Sequence, residues 1–132
     1  MMKRRTAREK ALQAIFQIDM NKEAPEEAVR NVLNGQESDE YLEKLVKGTA
    51  AHLAEIDGMI SRHLEHWTLD RLAKVDLNIL RLAAYELMYA EDVPANVAIN
   101  EALEISKRFA DEKSAKFING VLNNMKNTIQ SS

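Results

Sequence analysis

Four cations crowd the start of the chain, Lys3, Arg4, Arg5 and Arg8, with Lys10 close behind. Glu9 is the one acid among the first ten residues, so five cations against one acid leave that segment at +4. The whole chain carries −3, and the other 122 residues therefore carry −7. Arginine's planar fork binds phosphate bidentately, so the chemistry open to this cluster is recognition of a polyphosphate backbone such as a nucleic acid. Thr6-Ala-Arg-Glu9 reads as a capping box that starts a helix. Cations at a helix N-terminus oppose the macrodipole, at roughly a few tenths of a kcal/mol each. Such a local conflict is characteristic of functional sites. The plainer reading of the same charge run is a solvated tail.

Other residues with chemical potential are fewer. Ser114-Ala-Lys-Phe-Ile-Asn119 opens a helix, where free amides beside Lys113 and Lys116 would suit a phosphate, although Phe117 shares its register with Val121 and Met125 and reads more readily as core than as an RNA platform. His63 and His66 are three apart, but a zinc site needs three or four ligands and no third is evident, so no metal is expected. Glu101 and Glu104 have the same spacing without a neighbouring nucleophile or oxyanion site. Glu101 reads better as a structural partner for Arg81. No glycine-rich phosphate loop and no Ser–His–Asp pattern occurs, so neither an enzyme nor a cofactor is expected.

These side chains must be positioned by helices. The organising stretch is Lys74 to Ala90, in which Val75, Leu77, Ile79, Leu80, Leu82, Ala83, Leu87 and Met88 cover nearly the whole circumference. A helix apolar all round must be wrapped by its neighbours. Arg81 and Glu86, polar within that surface, need partners or a route to water. The first helix runs from Thr6 to about Met20, with Ala11, Leu12, Ile15 and Phe16 facing the core. Pro25 opens a short second helix that buries Ala28, Val29, Val32 and Leu33 and ends at Asn34-Gly35. Ser38 or Asp39 caps a longer helical run, with a break expected between Gly48 and Gly58. Trp67 to Leu72 reads as a turn or single-turn helix. A further helix spans about Ala95 to Phe109, with Ala98, Ala102, Ile105 and Phe109 on one face. Asp111 to Ser114 is a loop with its cap at Ser114. The last helix buries Phe117, Ile118, Val121, Leu122 and Met125, Gly120 within it is tolerable if it lets another backbone approach closely, and residues 130–132 fray.

The expectation is one all-α domain over residues 1–132, two small bundles of six to seven helices in all (about 6–66 and 67–129) packed around the central helix. At 45% hydrophobic and 30% charged the chain is globular in composition. It has no cysteine, hence no disulfide framework. No segment reads as a membrane span or a signal peptide, and a cytoplasmic location fits.

Several of these stretches together resemble the NusB family of bacterial transcription antitermination factors. They are Trp67…Asp70-Arg-Leu…Asp76…Ile79-Leu-Arg-Leu-Ala-Ala-Tyr-Glu-Leu87, Val93-Pro94…Val97-Ala-Ile-Asn-Glu-Ala-Leu-Glu104, and Lys116-Phe-Ile-Asn-Gly-Val-Leu122, with the arginine-rich start. The resemblance covers essentially the whole chain. It implies a protein that binds the single-stranded boxA element of ribosomal RNA leader transcripts together with NusE, a small-subunit ribosomal protein, and helps assemble an antitermination complex on RNA polymerase. By the same resemblance Arg4, Arg5 and Arg8, with Lys3 beside them, match the RNA-contacting start, and Lys116, Phe117 and Asn119 match the last-helix RNA region. Asp76 falls where the family meets NusE, and Phe16 falls near both surfaces, at a position where members often carry Tyr. Two other readings stand beside it: the accessory domain of a ribosomal RNA cytosine methyltransferase, which would need a further cofactor-binding domain, and a helical adaptor that never touches RNA.

Overall fold

A computed structural model describes residues 2–131. The described residues form seven α-helices and no strand: α1 (Arg4–Asn21), α2 (Pro25–Leu33), α3 (Glu40–Ala51), α4 (Leu53–Arg62), α5 (Lys74–Tyr89), α6 (Ala95–Phe109) and α7 (Glu112–Ser131). A short 3-10 turn, Leu69–Arg71, leads into α5.

Helix α5 is the hub. Every residue from Leu77 to Glu86 is buried, and the helix packs against α1, α3, α4, α6 and α7. Such complete enclosure is what an all-round apolar sequence requires. Leu80, Ile79, Ile118, Leu122 and Met125 are among the largest wholly buried side chains. Val75, Leu87 and Met88, toward the ends of α5, are only half-buried. Helices α1 and α5 run antiparallel, since Arg8 bonds Glu86 while Asp19 meets Asn78 and Arg81.

Local signals set most boundaries. Pro25 opens α2 and left-handed Asn34 and Gly35 close it, as expected where a proline can donate no amide and a left-handed residue must end the helix. The Asp39 carboxylate accepts the amides of Tyr41 and Leu42 and caps α3. The expected break in the long run falls at His52, which separates α3 from α4. Gly48 has a different purpose: a Cβ there would collide with the Tyr85 ring, so glycine lets α3 approach α5.

Several local expectations need correction. Helix α1 begins at Arg4 rather than Thr6, and its N-cap Lys3 makes no side-chain cap. Thr6 and Glu9 lie inside the helix, and the Glu9 carboxylate accepts from Arg108 of α6 at 2.9 Å instead of reaching back. The cap of α7 is Asp111, whose carboxylate accepts the Ser114 amide at 2.8 Å. Phe109 stands at the surface, because α6 ends there and its last turn runs past the core. Gly120 has open space around it and admits no neighbouring backbone. Gln130 and Ser131 continue α7, while Ser132 lies outside the described residues.

Candidate nucleic-acid interface

The three N-terminal arginines, within five residues of one another, have unequal environments. Arg8 is 4% exposed. Its Nε and Nη2 donate to the two carboxylate oxygens of Glu86 at 2.9 and 3.0 Å, and Nη2 also reaches the Tyr41 hydroxyl at 3.2 Å. The Tyr41 hydroxyl in turn donates to Glu86. Burial, and then the hydrogen bond to Glu86, push the Tyr41 phenol far above its ordinary value, so it stays a donor. The pairing answers what Glu86 of the central helix needs, a cation inside an apolar wall. Arg8, one of the residues expected at the RNA contact, has its fork filled by Glu86 and its side chain buried, and it ties α1 to α5.

Arg4 and Arg5 are exposed but held. Arg5 donates to both oxygens of Glu101 at 3.0 and 2.7 Å. These hydrogen bonds raise the Arg5 guanidinium and lower the Glu101 carboxyl from their usual ranges. Arg4 lies 4.1 Å over the Tyr41 ring and meets Asp92 at 3.3 Å. The first turn of α1 contains no acid of its own, so carboxylates from the α5–α6 loop and α6 offset the clash of its cations with the helix dipole. Both arginines keep about half of their side-chain surface open to solvent, 52% and 57%, and Lys3 beside them is exposed.

Arg81 pairs with Asp57 of α4 at 2.8 and 2.9 Å and with Asp19 of α1 at 3.4 Å. Its expected partner Glu101 lies near Arg5 and Arg8 instead. For Asp19 burial alone would raise the carboxyl, but Asn78 and Arg81 outweigh it and hold it low.

The second set of site residues, Lys116, Phe117 and Asn119, stands on α7 and is not brought against the arginines. Ser114 of α7 donates to Asp76 at 3.2 Å, whereas Arg8 bonds Glu86. Those two anchors on α5 are ten residues apart, about 15 Å along the helix. Lys116 and Asn119 are exposed and Phe117 is half-buried. At the start of α7 the Asp111 carboxylate takes the Ser114 amide and sets a negative charge there, which disfavours a phosphate. Between the two sets lies a feature missed from the sequence: Phe16 and Phe109 share an apolar groove of about 320 Å³ with Leu12 and Val75. Phe109 is exposed, and Arg108 lies over its ring at 5.4 Å. The signal available for it was the position of Phe109 at the very end of its helix. Phe16 thus lies in the groove, and Asp76 borders a different cavity.

His63 is engaged through both ring nitrogens, with the Met59 carbonyl at 2.8 Å and the Thr128 hydroxyl at 2.7 Å. Among the described residues no group of three or more His, Cys, Asp or Glu could hold a metal ion. No helix among them is long and apolar enough to cross a membrane.

The fold and its surface define a small all-α protein whose exposed features are arginine forks and aromatic faces. Comparison with known proteins makes the class specific. The NusB family model matches residues 5–127, and the chain belongs to that family. The Bacillus velezensis transcription antitermination protein NusB is 57% identical over 98% of this chain and 100% of its own length. The solved structure of T. maritima NusB is 38% identical, with a TM-score of 0.88, over 96% of this chain and 92% of its own. A crystal structure of antitermination factors NusB and NusE in complex with dsRNA contains a chain 32% identical, with a TM-score of 0.85, covering 95% of this chain and 96% of that one.

Proposed function

We propose that this chain is an RNA-binding transcription antitermination factor that binds boxA-type single-stranded RNA together with a NusE-type small ribosomal protein. In this reading the pair helps assemble an antitermination complex on RNA polymerase in the cytoplasm. The observation that carries it is the arrangement along α1. Exposed Arg4 and Arg5 lie at one end, the Phe16–Phe109 groove about 18 Å further on, and Lys116 and Asn119 beyond it on α7. Cations at both ends with aromatic faces between them suit a single strand, whose phosphates need charge and whose unpaired bases need surfaces for stacking. Arg8 contributes as a positioning residue that fixes α1. Asp76, and Phe16 at the shared edge, face the protein partner.

Replacing Arg4 and Arg5 together by Ala should weaken RNA binding without unfolding the chain. If each makes one phosphate contact, the slope of log K against log salt should flatten by about 1.4. An unchanged slope would show that the two arginines serve only their carboxylates. Asp76→Lys should weaken partner binding, and through it RNA affinity in the mixture, because the two binding events are linked. The isolated Asp76→Lys protein should lose less RNA affinity than the mixture does, and an equal loss would merge the two surfaces.

A further inference from the structure

Trp67 is the one tryptophan of the chain, and it stands 52% exposed. Its predecessor His66 sits in the left-handed region at φ 68°, which turns the chain between α4 and the 3-10 turn and leaves the indole out of the core. A large aromatic side chain left half in water forgoes part of the gain of burial, so its position calls for a use. Trp67 and Phe117 line one cavity of about 330 Å³, together with Arg71, Lys113, Asp76 and Asp111.

We infer that this cavity takes an unpaired nucleobase of the bound RNA, stacked on Trp67. The inference rests on the RNA-binding reading above and extends its path, since Phe117 stands next to Lys116 on α7. The charges decide which part of a nucleotide enters. The wall sets Asp76 and Asp111 against Arg71 and Lys113, two acids and two cations, so it offers a phosphate no net attraction, and the exposed Arg71 and Lys113 are free to meet the RNA backbone at its mouth. A base has no charge and two apolar faces, and every base stacks on an aromatic ring. Exocyclic amino groups find an acceptor in the Asp111 carboxylate of the wall, as cytosine does with aspartate elsewhere. A protein segment is the other class of occupant, but the mixed charge of the wall selects neither a basic nor an acidic one.

The single tryptophan makes the test direct. A short fluorescein-labelled single-stranded boxA-type RNA is titrated into the full chain, and binding is read from RNA anisotropy. In parallel, the Trp67 emission is followed with the unlabelled RNA. The emission should be quenched in step with the anisotropy. Trp67→Ala should lower RNA affinity roughly 5- to 100-fold, the loss of one base stack, and Trp67→Phe should recover most of it. Circular dichroism of both variants establishes that they are folded. RNA that binds normally while Trp67 emission stays unmoved overturns the cavity assignment alone. So does a folded Trp67→Ala protein with unchanged RNA affinity. Emission that responds to the NusE-type protein and not to RNA assigns the cavity to a protein and overturns it too. A wild-type chain that binds no RNA removes both this inference and the reading beneath it.

Discussion

Arg8 and Glu86 offer the sharpest test of how the chain is held together. Arg8→Ala leaves the Glu86 carboxylate, 2% exposed, with the Tyr41 hydroxyl but no cation inside the contact between α1 and α5. Removing one partner of a buried ion pair costs about 3–5 kcal/mol, because the remaining charge stays desolvated and unpaired. Arg8 also approaches Glu101 at 3.7 Å, but Glu101 keeps Arg5 and should add little to the loss. For a chain of this size the cost corresponds to a fall in Tm of roughly 10–20 °C. Thermal and urea unfolding followed by circular dichroism measures it. The compensating variant replaces all three members: Arg8→Met, Glu86→Leu and Tyr41→Phe. Exchanging a buried pair for apolar groups of similar volume is often neutral or stabilising, so the triple variant should recover most of the lost stability. It should also bind RNA as the wild type does, since Arg4 can still lie over the ring at position 41. A loss under about 0.5 kcal/mol on Arg8→Ala would place the pair at an ordinary surface site. A stable triple variant with no RNA affinity would return Arg8 to the RNA contacts and refute the positioning role.

Other consequences can be checked with the same unfolding assays. Gly48→Ala should destabilise by about 1–3 kcal/mol because the added methyl meets the buried Tyr85 ring. Gly120→Ala, in open space within α7, should stabilise by about 0.5–1 kcal/mol; equal effects at the two sites would sink the close-approach explanation. Leu80→Ala, at a wholly buried hub position, should cost about 2–5 kcal/mol. The Glu101 carboxyl is held below the ordinary 4.5 of a glutamate by Arg5. A depressed carboxyl contributes stability that is present above its unfolded value and is lost as pH falls through the folded one. Urea midpoints of the wild type should therefore drop below about pH 4.5 more steeply than those of Glu101→Gln, and parallel curves would exclude Glu101 as a source of that acid sensitivity.

The amino-acid sequence alone was enough to identify the helices and the hub. Periodicity marks a helix through neighbours three and four residues apart, and capping is decided within one turn. Pro25, Asn34-Gly35 and Asp39 accordingly act where they stand in the chain. Even so, Thr6 and Ser114 fit a local cap pattern without capping, since α1 begins after Lys3 and Asp111 caps α7. The actual boundary of α1 was set with help from Asp92 and Glu101, which receive the cations of its first turn. Identical residue types a few positions apart, Arg5 and Arg8, were indistinguishable as sequence. Tertiary packing alone separated them, because rotation about the α1 axis turns Arg8 into the α5 contact and leaves Arg5 at the edge beside α6. Partners 78 and 96 residues away cannot be read from spacing. The same holds for the Phe16–Phe109 groove and for the cavity shared by Trp67 and Phe117, whose walls come from separate helices and turns. Which charge is buried, and which ring is left facing water, depends on how neighbouring helices are rotated and offset against one another, and that is decided only when the whole core packs.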